Sequence, residues 1–170
     1  MTDIAPLILT LAFDDDSFRH FNDMRRRHFP KARNHIPAHL TLFHHLPGED
    51  EAEIARMLED VAKTTAPLTL QVTGLRFLGY GSAYTLESAP LAALRAALAA
   101  RWRDRLTRQD AQGFRPHVTI QNKASAPEAR RLFETLDSEF RPFEATGTGL
   151  RLWRYRGGPW DEAGAFSFRG

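Results

Sequence analysis

The sequence predicts an α+β fold of two pseudo-symmetric lobes, each a mainly antiparallel sheet with helices on its outer face, and a cleft between the lobes. Two observations support this class. Segments that alternate apolar and polar residues are interspersed with amphipathic helical segments, and their order repeats over about residues 4–78 and 82–155. We therefore expect residues 1–170 to form a single bilobal domain, with an added strand at 163–169.

The first half contains the order strand, helix, strand, helix, strand. An apolar run over Ile4–Phe13 predicts the first strand, and the carboxylates of Asp14–Asp16 favour the start of a helix that ends at Pro30. Three elements complete this half: a strand over Ala38–His45, a helix over Glu49–Thr65, and a strand over Leu68–Leu78 with a bulge at Gly74.

The second half repeats that order after a turn at Gly79–Gly81. Its predicted elements are a strand over Ala83–Glu87, a helix with the apolar stripe Leu91, Leu94, Leu98 and Trp102, a strand over His117–Gln121, a helix with the stripe Ala129, Leu132, Phe133 and Leu136, and a strand over Thr148–Tyr155. A turn at Gly157–Pro159 precedes the final strand, Ala163–Arg169.

Length and composition fit an ordinary globular protein. The chain has 170 residues, of which 42% are hydrophobic and 26% charged, so it has enough apolar surface for a core and disorder is excluded. Cysteine is absent, which excludes disulfides, zinc sites built on thiolates and a thiol nucleophile.

Charge and hydropathy limit the partners and the compartment. The formal net charge is only +2, so no long-range field attracts a nucleic-acid duplex, although the many arginines suit local contacts to phosphate. No secretory signal and no apolar run of membrane-spanning length is present. We expect a cytoplasmic protein that does not bind membranes and that is a monomer without an obligate protein partner.

Two His-x-Thr segments carry the functional prediction. In a strand, alternate side chains share a face, so His39 and Thr41 face one way, and so do His117 and Thr119. Two imidazoles supply a base and an acid for in-line displacement at phosphorus, and two hydroxyls can donate hydrogen bonds to the non-bridging oxygens. We therefore predict that both motifs face one cleft and act on a phosphate ester.

The paired motifs and the duplicated layout resemble the 2H phosphoesterase superfamily, also called the 2′-5′ RNA ligase and cyclic phosphodiesterase group. The likeness covers nearly the whole chain. It implies a bilobal α+β fold with an open cleft and metal-independent hydrolysis of a 2′,3′-cyclic phosphate on an RNA end or a nucleotide, without a cofactor. Some members join RNA ends through 2′-5′ bonds. By this resemblance His39, Thr41, His117 and Thr119 are the catalytic set.

The sequence leaves the roles of the two histidines open. We favour His117 as the group that activates water and His39 as the group that protonates the leaving oxygen. Exchanged roles correspond to ligation or transesterification, so the motif does not fix the direction of the reaction.

Strand alternation and position along the chain add further candidates for substrate binding. These are Phe43, Gln121, Lys123, Arg115 and Tyr84. Three of them have a structural alternative: Phe43 can pack in the core or between the lobes, Lys123 can be a solvated strand end, and Arg115 can be a surface arginine before a proline. For Trp153, packing is the favoured interpretation.

Two other function classes use the same residues. One is a non-catalytic module that binds RNA or a nucleotide in the same groove. The other is a metallohydrolase that uses His39, His44 and His45, which strand alternation disfavours because His44 faces away from His39.

Overall fold

The structure, a computed structural model, describes residues 4–170. Its strands are β1 (Leu7–Phe13), β2 (Leu40–Leu46), β3 (Leu68–Phe77), β4 (Ser82–Glu87), β5 (His117–Gln121), β6 (Phe143–Tyr155) and β7 (Trp160–Ser167). They form one sheet in which all neighbouring strands are antiparallel. The helices are α1 (Asp15–His28), α2 (Glu51–Lys63), α3 (Ala89–Arg101), α4 (Arg108–Ala111) and α5 (Ala126–Glu139).

The order of the strands has the predicted two-fold pseudo-symmetry. It is β2-β1-β6-β3-β4-β5, and β7 pairs with residues 149–155 of β6, beyond the residues that pair with β3. Exchanging β1 with β4, β2 with β5 and β3 with β6 reproduces the same order, so the pseudo-axis lies between β6 and β3. The predicted α+β class with mainly antiparallel sheets is confirmed.

The last strand of each repeat pairs with the other repeat. Strand β3 closes the first half but pairs with β4 and β6, whereas β6 closes the second half and pairs with β1. Strand β6 is thirteen residues long and pairs with both halves: Phe143–Gly147 pair with β3, and Gly147–Arg154 pair with β1. The two halves are therefore interlocked, which the order of elements did not reveal.

Side chains cap the starts of three long helices, and the cap of α1 was predicted. Asp14 caps α1 by accepting a hydrogen bond from the Ser17 amide at 3.0 Å. Ser88 and Ser125 cap α3 and α5 in the same way, each ahead of a proline in the first turn. The predicted bulge at Gly74 is confirmed by a register shift between β3 and β4.

The buried apolar residues form one continuous cluster across both halves. Leu9 and Leu40 from the first half join Tyr84 and Val118 from the second. Within residues 4–170, no helix has the length and apolar character that crossing a bilayer requires.

Some element boundaries differ from the sequence prediction, and one helix was missed. The last strand begins at Trp160 rather than Ala163, and β6 begins at Phe143 rather than Thr148. The short helix α4 was not predicted, because four residues are too few to show a helical period.

A buried arginine and a buried aspartate bind the outer edge of β2. Asp110 on α4 is 1% exposed, and its carboxylate accepts hydrogen bonds from the amides of His44 and His45, each at 2.8 Å. Arg95 on α3 donates to the carbonyl oxygen of Leu42 at 3.1 Å and to that of Asp110 at 2.6 Å. These contacts satisfy backbone groups that an edge strand leaves unpaired.

A second buried arginine binds the other edge strand, β5. Arg25 on α1 is 6% exposed and donates to the carbonyl oxygen of Thr119 at 3.1 Å and to Asn34 Oδ1 at 2.9 Å. Its guanidinium lies over the Phe29 ring, with 4.2 Å between Cζ and the centroid. A helix of each half thus fixes the motif strand of the other half.

We predict that Asp110→Ala lowers the free energy of unfolding by about 3 kcal/mol, because it leaves backbone amides of β2 without their charged acceptor. Asp104→Ala is the matched control, since Asp104 is exposed, and should change stability by less than about 0.5 kcal/mol. Urea unfolding of both variants measures the difference. Equal stability of the two variants would show that the edge contacts of Asp110 contribute nothing.

Candidate active site

The two His-x-Thr motifs occupy equivalent places on the two edge strands. His39 directly precedes β2, which contains Thr41, and His117 is the first residue of β5, which contains Thr119. Strands β2 and β5 contact each other across the pseudo-axis. Thr41 and His117, one residue from each motif, line the same cavity of about 440 Å³.

The two imidazoles make the same hydrogen bond. Nδ1 of His39 lies 2.9 Å from the carbonyl oxygen of Pro37, and Nδ1 of His117 lies 3.0 Å from that of Arg115. A carbonyl oxygen can only accept, so Nδ1 carries the proton in both rings. The neutral ring therefore has its lone pair on Nε2, which is free to take a proton from a bound molecule.

The protonation of His39 is set by its surroundings. Burial lowers its pKa to about 4; the hydrogen bond to Pro37 opposes this, while the nearby charges of Arg25 and His117 lower the pKa further. His39 is therefore neutral at pH 7 in the free protein. The effect of His117 on His39 also indicates that the two motifs lie within electrostatic reach of each other.

Each motif threonine begins a row of side chains that crosses the sheet and ends at an arginine. In the first row Thr41 lies opposite Thr10 of β1, which lies opposite Arg151 of β6. In the second row Thr119 lies opposite Ala83 of β4, which lies opposite Arg76 of β3. Because cross-strand partners share a face, the arginines lie on the same face of the sheet as the threonines.

The cavity beside His117 is cationic. Arg76, Arg95, Arg115 and His44 line it together with Thr41, and so does the carboxylate of Asp110. Arg76 and Arg115 are exposed, and the ion pairs within residues 4–170 include neither of them. Free guanidinium groups of this kind bind phosphate oxygens well.

A second cavity, of about 390 Å³, lies beside His39, and several aromatic rings line it. Trp153 and Trp160 line it, with their ring centroids 5.9 Å apart, and the Trp160 ring lies 4.8 Å from that of His39. Trp153 donates a hydrogen bond from Nε1 to Thr10 Oγ1 at 2.9 Å. Arg151 also lines this cavity, but it pairs with Glu162 at 3.1 Å.

Two of the predicted substrate contacts are wrong for the same reason. A register shift after Thr41 leaves Leu42 unpaired and sets Phe43 opposite the buried Leu9, so Phe43 is 0% exposed and packs 5.1 Å from Trp102. An equivalent shift after Thr119 turns Gln121 towards Ser82.

Both side chains consequently leave the face that carries the motif threonines, because a bulge adds one residue and reverses the alternation. Gln121 is buried, and its Oε1 has no hydrogen-bond partner within residues 4–170.

The other predicted contacts have different outcomes. Tyr84 is 6% exposed and packs 5.7 Å from both Phe21 and Phe143, because its position on β4 faces the core rather than the motifs. Lys123 follows the end of β5 in a left-handed turn with φ of 61° and is exposed, so it does not extend the strand face. Arg115 lines the cavity that contains His117.

The histidines after the first motif do not gather around His39. His44 is exposed, and its Nδ1 lies 3.2 Å from Asp110 Oδ1; His45 is exposed as well. Among residues 4–170, no three histidine, aspartate or glutamate side chains form a group that could hold a metal ion.

Sequence reasoning missed the residues contributed by distant strands. Arg76, Arg151 and Trp160 have no motif of their own, and only the pairing of β3, β6 and β7 brings them towards the His-x-Thr strands. Trp153 was expected to pack, and it also lines the aromatic cavity. The Gly157–Pro159 turn was the available signal for Trp160, since the residue after a hairpin turn begins the returning strand.

The sequence profile described as the 2'-5' RNA ligase superfamily matches residues 13–159, most of the chain. The chain belongs to the 2'-5' RNA ligase superfamily. The match includes both His-x-Thr motifs and confirms the resemblance to 2H phosphoesterases.

Solved structures support this membership at the level of the fold. TT0787 of Thermus thermophilus superimposes with a TM-score of 0.68 at 18% identity, over 97% of this chain and 98% of that one. E. coli LigT complexed with 3'-AMP superimposes with a TM-score of 0.61 at 17% identity, over 99% and 100%. A protein described as a phosphoesterase has a TM-score of 0.61 at 15% identity, over 99% and 100%. No curated protein matches the chain in sequence.

We predict that the His39 ring of this superfamily member titrates with a midpoint near pH 4, because burial disfavours its charged form. Nitrogen-15 NMR of the histidine rings measures this midpoint. The same spectra should show the proton on Nδ1 of both His39 and His117 in their neutral rings. A midpoint near 6.5, or a proton on Nε2, would contradict the geometry described above.

Proposed function

We propose that this protein is a metal-independent phosphoesterase that opens the 2′,3′-cyclic phosphate of an RNA end or a nucleotide. The observation that carries the proposal is the matched pair of imidazoles, each with Nδ1 bonded to a carbonyl oxygen two residues upstream. Such a pair leaves two Nε2 atoms free for proton transfer. The membership in the 2'-5' RNA ligase superfamily supports the same chemistry.

In the proposed reaction, one imidazole takes a proton from water as its oxygen attacks phosphorus. The bond from phosphorus to one ribose oxygen breaks, and the second imidazolium gives that oxygen a proton. The hydroxyls of Thr41 and Thr119 donate hydrogen bonds to the non-bridging oxygens as negative charge builds up there. The product is a phosphate monoester on the 2′ or the 3′ oxygen.

The pKa of His39 bears on the roles that the sequence left open. With a pKa of about 4, His39 is unprotonated at pH 7 in the free protein. It can then take a proton from water directly, or gain one when the substrate binds and give it to the leaving oxygen. The sequence could not anticipate the low pKa, because burial of one ring depends on distant residues such as Trp160, whose ring lies 4.8 Å away.

Nucleotides are the ligand class that the comparisons suggest. The structures of E. coli LigT include complexes with 3'-AMP, ATP and NADP+. For the present chain, the two free arginines in the His117 cavity support a phosphorylated ligand.

We predict that His39→Ala and His117→Ala each lower kcat for a 2′,3′-cyclic nucleotide by about 10² to 10⁴, since each removes a proton-transfer group. Thr41→Val and Thr119→Val should each lower kcat by about 10². Turnover is measured in EDTA, with the product isomer identified by chromatography, and circular dichroism checks the fold. Unchanged turnover in either histidine variant would refute the mechanism.

The acidic limb of the pH profile tests whether the protonation of His39 controls turnover. The active form has one protonated and one neutral imidazole, and it gains a second proton only near pH 4, the pKa of His39. We therefore predict that kcat/KM does not decline as the pH falls from 7 to 5 and declines near pH 4. A decline with a midpoint near pH 6.5 would contradict this prediction.

The alternative function is binding without turnover. A non-catalytic module would bind 2′,3′-cyclic AMP, release it unchanged and lose little affinity in the His39→Ala variant. Calorimetry with that ligand, together with chromatography of the recovered ligand, separates this function from the enzymatic one.

A further inference from the structure

A third histidine lies on the motif face of the first edge strand. Strand alternation predicts that His44 faces away from Thr41, but Leu42 is the extra residue of a bulge, so the alternation is reversed beyond it. His44 and Thr41 accordingly line the same cavity as His117. The charge of His44 also lowers the pKa of His39, so the His44 ring lies within electrostatic reach of the first motif histidine.

The His44 ring is held by a buried carboxylate. Its Nδ1 lies 3.2 Å from Asp110 Oδ1, and the Asp110 side chain is 0% exposed whereas that of His44 is 44% exposed. Burial disfavours the charge of Asp110, but hydrogen bonds from the His44 ring and from the amides of His44 and His45 outweigh burial and keep the pKa of Asp110 below its ordinary value. A carboxylate only accepts hydrogen bonds, so Nδ1 of His44 carries a proton and Nε2 is the ring nitrogen left for a ligand.

The second repeat has a different group at the position of His44. Asn122 lies five residues after its motif histidine, as His44 does in the first repeat. The Oδ1 of Asn122 accepts a hydrogen bond from the Lys123 amide at 2.9 Å. At this position, therefore, the first repeat carries an imidazole bound to a carboxylate and the second carries a neutral amide.

The charges around His44 favour an anion. Arg95 is buried beside Asp110 and donates to its carbonyl oxygen at 2.6 Å, so the charges of these two residues offset each other. Arg76 and Arg115 remain as exposed cations of the same cavity. A 2′,3′-cyclic phosphate carries one negative charge, so this cavity offers more positive charge than the reacting phosphate alone requires.

We propose that His44, oriented by Asp110, binds a second phosphate group of the substrate, the internucleotide phosphate nearest the cyclic end of an RNA chain. The proposal rests on the proposed function. In the complex, Nδ1 of His44 donates to Asp110 and Nε2 donates to a phosphate oxygen. The substrate class is therefore an oligonucleotide with a cyclic phosphate end rather than a mononucleotide.

The test compares two dinucleotides that differ by one charge. ApA with a 2′,3′-cyclic phosphate end has a charged phosphodiester linkage, and its methylphosphonate analogue has an uncharged one. His44→Asn retains a donor near the position of Nδ1 and lacks Nε2. In this variant the ratio of kcat/KM for the charged dinucleotide to kcat/KM for the uncharged one should fall roughly 10- to 150-fold, the loss expected for one hydrogen bond between charged groups.

Asp110→Asn tests the positioning role of the carboxylate. It removes the charge that holds the His44 ring with both nitrogens protonated, so the same ratio should fall. A carboxylate that only fixes the backbone of β2 would affect both dinucleotides equally. An unchanged ratio in Asp110→Asn would therefore overturn its positioning role.

His45→Asn is the matched control. His45 is the next residue along the chain, is exposed and does not line the cavity. Its ratio should equal that of the wild type. His44→Phe removes both ring nitrogens and should give the same loss as His44→Asn, and it also serves if His44→Asn does not fold.

The outcomes separate the two proposals. An unchanged ratio in His44→Asn, including an equal fall of both kcat/KM values, overturns the second phosphate site while leaving the phosphoesterase function intact. If the wild type turns over neither dinucleotide, the proposed function fails, and calorimetry with the same pair still tests the site. The wild type and His45→Asn should then bind the charged dinucleotide more tightly than the uncharged one, and His44→Asn should bind both alike; an equal preference in all three overturns the site.

Discussion

The pairing of β3 with β6 at the centre of the sheet sets the geometry on which the site depends. Each strand is the last of its repeat, and each also pairs with the first strand of the other repeat, so neither half has a complete sheet by itself. The exchange puts β2 and β5 at matched distances from the pseudo-axis. The two His-x-Thr motifs therefore occupy equivalent positions because the backbone pairing is symmetric.

Edge strands are exposed to unwanted pairing, and here both edges also carry the candidate catalytic residues. Buried arginines bind the backbone of both edge strands, which blocks pairing and holds the motif residues in place. Arg95 and Asp110 bind the backbone of β2, and Arg25 binds that of β5. Removing these charged groups from water is costly, and hydrogen bonds to backbone carbonyls and contacts with aromatic rings offset part of that cost. The positive charge of Arg25 also lowers the pKa of His39. The arginine that covers the backbone of β5 therefore also affects the protonation of His39.

The sheet backbone is pseudo-symmetric, but the side chains around the two motifs differ. The matched Nδ1 hydrogen bonds of His39 and His117 follow from the matched strands. Strand β7 then breaks the equivalence, since it has no counterpart beside β3 and adds Trp160 and Glu162 on one side only. A duplicated fold can thus carry two equivalent imidazoles and still differ in charge and in aromatic side chains on its two sides.

The sequence by itself determined the α+β class, the repeat and the two His-x-Thr motifs, because these depend on local periodicity and on spacing along the chain. It also indicated the cap at Asp14 and the bulge at Gly74. Only the tertiary structure decided that Phe43 and Gln121 turn away from the motif face, that β3 and β6 exchange partners, and that Trp160 and Arg76 border the site. Bulges without glycine and pairings between distant strands depend on contacts far apart in sequence, which local patterns do not encode.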